Sequence, residues 1–167
     1  MNFWLTHSGI RVASRVAMTA ATFGALAAGA ARADHIAHTI KPALEQGRWV
    51  VCDRFTDSTY AYQGLARGLA RETIRRIEAI AIGDFKPDLT LILDLPAEEG
   101  LKRAGARGPQ ESRFEKFDAE FHERLRQAFL EIARRAHERC VVIDASAPQE
   151  DVAAQVWGIV AKRFSIG

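Results

Sequence analysis

Trp49-Val50-Val51-Cys52 is a continuous apolar run that stops abruptly at Asp53-Arg54-Phe55. Four apolar residues without alternation predict a short strand buried on both faces, and the charged pair that ends it predicts a polar tip. Two further runs of this kind follow, Leu89-Thr90-Leu91-Ile92-Leu93-Asp94-Leu95 and Cys140-Val141-Val142-Ile143. Helical patterns separate them. Upstream, Ile36, Ile40 and Leu44 keep helical spacing, predicting a helix from about 16 to 44 that stops near Gly47. Ile74, Ile77, Ile80 and Ala81 form one side of a helix over 72–82 that Gly83 ends, and Pro96, Glu98 and Glu99 suit the first turn of the next. Phe114, Phe117, Phe121, Leu125, Phe129 and Ile132 mark a long helix running to about Glu138, while Ser146 and Gln149 read as a capping box for a last helix ending near Phe164. Buried strands separated by helices imply an α/β fold with a parallel sheet, because parallel strands need crossovers and both faces need cover. In such sheets ligands gather beyond the carboxyl ends of strands, which directs attention to Asp53, Arg54 and Asp94.

The rest of the composition narrows the class. At 167 residues the chain fits one domain, and 23 basic against 21 acidic residues leave a formal charge of only +2. No general field holds a polyanion, so neither a nucleic acid nor an acidic membrane surface is expected as a partner. With 48% apolar and 26% charged residues the chain is ordinary for a packed core. Cys52 and Cys140 sit inside apolar runs far apart, which predicts buried thiols in a reducing compartment and no metal spacing. His35 and His38 lie one turn apart with no third ligand, so they are expected on a surface or in helix packing.

Residues 1–33 differ from the remainder: they carry Arg11, Arg15 and Arg32 and no acid, and ten of the 21 positions from Ala13 to Ala33 are alanine. The stretch ends Ala31-Arg32-Ala33, a small-residue pattern that an exported protein with a cleaved leader would show. Helical spacing running on past Ala33 favours instead a helix entering the fold. No stretch approaches the ~20 strongly apolar residues that a spanning helix needs.

After the Asp53-Arg54 tip, residues 56–68 are dense in hydroxyl, amide and phenol groups, with little apolar content to bury. This composition suits contact with a polar ligand. Arg103 and Arg107 lie one helical turn apart, Gly108-Pro109 breaks the helix, and Arg113 follows, so three guanidiniums flank one loop. Cations there can neutralise a transferring phosphoryl group or simply cap a helix end.

The stretch Val51-Cys52-Asp53-Arg54-Phe55-Thr56-Asp57-Ser58-Thr59-Tyr60-Ala61-Tyr62-Gln63-Gly64 resembles the signature of thymidylate kinases, the enzymes that phosphorylate dTMP with ATP. Ile40-Lys41-Pro42-Ala43-Leu44, Gly83-Asp84-Phe85-Lys86-Pro87-Asp88-Leu89-Thr90-Leu91 and Arg113-Phe114-Glu115 extend the likeness over about residues 30–164. The resemblance implies a three-layer P-loop nucleoside-monophosphate-kinase sheet, a homodimer in the cytoplasm, and ATP with Mg2+ as co-substrate and ion. It implies Asp53 as the carboxylate that helps organise Mg2+ and phosphates, Arg54 as the grip on the dTMP phosphate, and Arg107 and Arg113 as catalytic cations of a lid at about 103–115. Arg32, Ser58, Thr59, Tyr62 and Gln63 fall at the dTMP site: Thr59 and Gln63 at the thymine edge, Tyr62 against the deoxyribose, where it disfavours a 2′-hydroxyl.

The departures concern the other substrate. Kinases of this family carry Gly-x-x-x-x-Gly-Lys-Ser/Thr, whose amides cradle the ATP phosphates. This sequence contains no Gly-Lys dipeptide. The expected fold therefore lacks the first two family strands, leaving a gap beside the first buried run, with residues 1–28 an atypical segment and 29–167 a partial kinase domain. Ala28 aligns with the family's thymine-stacking phenylalanine, Leu65-Ala66 replaces Gly-Gly, and Ser112 stands for a lid aspartate. These observations give three readings: a thymidylate kinase impaired for ATP binding, a non-catalytic nucleotide-binding or regulatory remnant, and an exported protein.

Overall fold

The structure is a computed structural model describing residues 2–6, 9–12, 21–65, 68–105 and 119–166, with side chains for 25–65, 68–103 and 119–166. Its five strands are β1 (Asn2–Thr6), β2 (Gly9–Val12), β3 (Trp49–Asp53), β4 (Leu89–Asp94) and β5 (Cys140–Asp144). They form one sheet in the order β2-β3-β1-β4-β5. β3, β4 and β5 are the three expected runs, all pointing the same way. The vacancy expected between β3 and β4 is filled. Asn2–Thr6 lies there and runs antiparallel to both, with Trp4 opposite Cys52 on one side and Thr90 on the other. β2 extends the edge, parallel to β3 with Ile10 opposite Val50. Asn-Phe-Trp-Leu-Thr has the aromatic and β-branched content of a strand, a signal that the alanine-rich stretch after it obscures. An antiparallel strand satisfies the backbone groups of both neighbours as well as a parallel one does.

The helices are α1 (Ala21–His35), α2 (Lys41–Glu45), α3 (Thr56–Thr59), α4 (Arg71–Ile82), α5 (Ala97–Gly105), α6 (Ala119–Arg135) and α7 (Gln149–Phe164). The single helix expected from 16 to 44 is thus α1 and α2 joined by a π-helical turn, Ile36–Ile40. A second π-helical segment, Tyr60–Leu65, continues α3. α4 ends as expected at Gly83, whose φ of 60° suits a residue without a Cβ. The expected capping box does not form: Pro148 stands at the start of α7, and the Ser146 hydroxyl instead donates to Asp144 Oδ1 at 2.6 Å.

Side chains alternate along the strands and sort the helices onto two faces. Leu89, Leu91 and Ile143 pack with Val160, Val156 and Val152 of α7. On the other face Ile92 and Cys140 meet Ala133 of α6, and Val50 and Cys52 meet Ile36, Ile40 and Phe55. Helices α1 and α4 approach closely: a Cβ on Gly29 would sit 3.3 Å from Ile77 Cγ2. Both cysteines are buried, as expected, and burial pushes the Cys140 thiol up to about 11. Among the described residues no helix is long and apolar enough to cross a membrane.

Candidate functional site

The β3 tip is built under strain. Arg54 has φ 65°, a left-handed backbone that costs an L-residue about 1–2 kcal/mol. Such strain persists where surrounding structure holds it, commonly at functional sites. The Cys52 thiol lies 3.5 Å from the Arg54 carbonyl oxygen and helps hold the turn. The turn sends the chain directly into α3, and Asp53 and Arg54 stay exposed while Phe55 is 4% exposed.

From there the polar run goes inward. Thr56, Asp57, Ser58, Thr59, Tyr62 and Gln63 are all buried, which corrects the expectation of a stretch with little to bury. Two features make this affordable. The Asp57 carboxylate takes two hydrogen bonds of 2.7 Å from Arg139, and Arg139 also donates to Thr90 Oγ1 at 2.9 Å. Apolar faces of the same segment, Ala61 and Tyr62, pack on Phe121, Leu125 and Ala128 of α6. Burial continues through the π-helical segment, where Ala61, Tyr62, Gln63 and Gly64 are consecutive buried residues.

The predicted substrate residues come together. Arg32 of α1 donates from Nη2 to Thr59 Oγ1 at 2.8 Å, and its guanidinium carbon lies 5.5 Å from the centre of the Phe55 ring. That of Arg54 lies 5.3 Å from the centre of the Tyr62 ring. Burial lowers the Arg32 affinity for its proton, opposed chiefly by the charge of Glu78. It likewise raises the Tyr62 phenol. Ser58 Oγ and Gln63 Oε1 are buried and have no hydrogen-bond partner among the described residues. Arg107 and Arg113 lie outside the described residues.

Other strand-end and loop cations have structural partners. Asp94, at the β4 tip, accepts two bonds from Arg126 of α6 at 2.7 and 2.9 Å, which raise the Arg126 guanidinium. Arg103 pairs with Glu99 and donates to the carbonyls of Ala145 and Ser146 at 2.9 and 3.3 Å. Sequence reasoning missed Arg139 and Glu78. Arg139 lies 82 positions from Asp57, and no local spacing links them. A carboxylate at 78 within an otherwise apolar helical stripe was the available signal for Glu78.

The fit of the implied Mg2+ and ATP differs. Among the described residues no group of three or more His, Cys, Asp or Glu side chains could hold a metal. Mg2+ is usually held by one or two carboxylates plus phosphates and water, and the exposed Asp53 suits an outer contact of that kind. No phosphate cradle for ATP is present among the described residues. A cavity of about 1080 Å³ opens on the α7 face of the sheet, but Val51, Leu91, Leu93, Val152 and Val156 line it, and among the described side chains Arg103 is the only charged one in the lining. Neither there nor elsewhere in the sequence is there a Gly-Lys phosphate cradle.

A strand tip carrying a carboxylate and a guanidinium, in a helix-covered α/β sheet, stands where proteins of this fold class bind their ligands. A crystallised thymidylate kinase from Ehrlichia chaffeensis superposes with a TM-score of 0.66 at 31% identity, covering 85% of this chain and 65% of that one. The thymidylate kinase family model matches residues 11–156, and the chain belongs to that family. Thymidylate kinases of Rhodopseudomonas palustris (strain BisB18) and Nitrobacter hamburgensis are 51% and 50% identical over 137 and 139 residues, 81% and 82% of this chain. The chain spans 60% of the length of each of these relatives.

Proposed function

We propose that this chain carries the dTMP-binding part of a thymidylate kinase, the family activity being phosphorylation of dTMP to dTDP with ATP. The observation that carries the reading is the pair of unpartnered buried atoms, Gln63 Oε1 and Ser58 Oγ, beside the Arg32–Thr59 hydrogen bond. A buried polar atom left without a partner costs about 1–3 kcal/mol, so such atoms cluster where a ligand supplies the partner. A thymine edge offers an N–H donor flanked by carbonyls, and a Gln amide, with one acceptor and two donors, matches it. Arg54 is exposed at the strand tip, where a guanidinium can hold the 5′-phosphate by two parallel hydrogen bonds. Tyr62 presents a buried ring in front of it, a shape that suits a deoxyribose and crowds a 2′-hydroxyl. Asp53 beside it suits a water-mediated contact to Mg2+. Holding the acceptor phosphate in one orientation is what this chain contributes to phosphoryl transfer, a reaction that needs positioning and charge neutralisation above all.

The same reading predicts that the chain alone transfers phosphate very poorly, by several orders of magnitude, because the amide cradle and lysine for ATP are missing. Titration calorimetry of the full chain tests both halves. Heat on adding dTMP, and none on adding ATP, is the expected result. Absence of dTMP binding overturns the substrate assignment, and turnover near that of an intact kinase overturns the impairment.

A further inference from the structure

We propose that Arg139 is a positioning residue of the nucleotide site: its two-pronged bond to Asp57 sets the rotation of α3 and thereby aims the Ser58 and Thr59 hydroxyls. The proposal rests on the dTMP reading above and adds to it a residue that acts through another side chain.

Arg139 is anchored at both ends. Its carbonyl accepts from the Thr90 N–H at 2.8 Å and its own N–H donates to the Ala136 carbonyl at 3.1 Å, which fixes its backbone against β4 and the turn after α6. Its Nη1 also donates to Thr90 Oγ1 at 2.9 Å, and Nη1 and Nη2 reach the two Asp57 oxygens at 2.7 Å each. Both side chains are largely withdrawn from water, so water competes little for these bonds. A fork of two parallel bonds fixes direction as well as distance, which a single point charge does not.

α3 needs such an outside anchor. It has only four residues, Phe55 before it gives no side-chain cap, and the strained Arg54 comes before that. Among the described residues the bond to Arg139 is the one ion pair that α3 makes. Apolar contacts of Ala61 and Tyr62 with α6 hold the segment that follows, and these are not directional. Successive residues of a helix point about 100° apart, so Asp57, Ser58 and Thr59 face three directions. Asp57 faces Arg139, Thr59 faces Arg32 through the 2.8 Å bond, and Ser58 lies between them with its Oγ unpartnered among the described residues. A rotation of α3 moves all three together.

R139K tests this, because it keeps the charge and loses the fork. Calorimetry on the full chain with thymidine and with dTMP reads the folded fraction from the stoichiometry and the affinity of the folded molecules from Kd. Both ligands are expected to bind R139K about tenfold more weakly than the wild type, the low end of what one hydrogen bond to a charged group contributes. Arg54 precedes α3, so the gain in affinity from thymidine to dTMP should stay as in the wild type. A merely structural role would lower the stoichiometry or the unfolding midpoint and leave Kd where it was. An unchanged Kd in R139K, with the wild type binding, overturns this inference alone, and so does a loss confined to dTMP, which would put the effect at the phosphate. If neither thymidine nor dTMP binds the wild type, the nucleotide reading falls and this inference with it. Should R139K not fold, hydrogen exchange in the wild type decides, since coupling between the site and Arg139 is reciprocal. Saturating dTMP is then expected to slow exchange at the Arg139 and Cys140 amides as well as at 57–59, and slowing confined to 57–59 overturns the proposal.

Discussion

On the sheet face that carries α6 and residues 56–65, charges at least partly withdrawn from water are paired: Asp57 with Arg139 and Asp94 with Arg126. On the opposite face α7 is the only helix packed among the described residues, Trp157 is 60% exposed, and the 1080 Å³ cavity is walled by aliphatic side chains. The first face is polar and densely tied; the second is apolar and loosely covered. The difference teaches where specificity resides. A tied polar network fixes side-chain positions because each member has one place to go, and a substrate site needs that; an aliphatic surface only asks to be covered.

The largest effect should come from cutting the tightest tie. Arg139 and Asp57 are 17% and 8% exposed, so replacing Arg139→Met strands a carboxylate away from water. A loss of about 3–5 kcal/mol is expected, measured by urea unfolding near neutral pH. A loss under about 1 kcal/mol would mean that the pair behaves like a surface ion pair and that this face is no more tied than the other.

Next comes matched truncation on the two faces. Ile74 is fully buried on α4, close enough to residue 64 that a Cβ added to Gly64 would meet its Cδ1 at 3.0 Å. Ile74→Ala is expected to cost about 2–5 kcal/mol, while Val156→Ala, half-buried beside an open cavity, should cost under about 1 kcal/mol. Equal losses in urea would show that the α7 face is packed as tightly as the other.

This contrast also explains what could be read in advance. The strands Trp49–Asp53, Leu89–Asp94 and Cys140–Asp144 carry apolar residues on both sides, and short runs of this kind bounded by polar residues suit a sheet covered by helices. Asp53, Arg54, Thr59 and Gln63 stand close together in sequence, on a strand tip and the helix after it, so their grouping was visible too. Pairings between distant segments were not. Asp57–Arg139 and Asp94–Arg126 join residues 82 and 32 apart through the packing of α3 and α6, which periodicity does not encode. The polar run after Phe55 misled for the same reason: composition says exposed, while a partner far along the chain makes burial tolerable. Asn2–Thr6 was passed over because a short strand gains its place from two neighbours that only the folded sheet brings together.

The smallest effect is a pH dependence of stability that belongs to the tied face. The Glu78 carboxyl is raised to about 7 in the folded chain from an ordinary value of 4.5, with burial the main cause. A group whose folded value is raised binds its proton more tightly in the folded state, so its contribution to stability is fully present below the unfolded value. That contribution is lost as pH climbs from about 4.5 through about 7, because the unfolded chain releases the proton first. Between pH 5 and pH 8 the wild type should lose on the order of 1 kcal/mol through this group, after allowance for partial exposure. E78Q has no proton to release, so the loss measured by urea unfolding at the two pH values should be smaller in the variant by that amount. Other titrating groups act alike in both proteins and cancel in the difference. Identical pH dependence in wild type and E78Q would mean that Glu78 titrates as an ordinary surface acid. The tied face would then end at the Asp57–Arg139 pair, one helix short of α4.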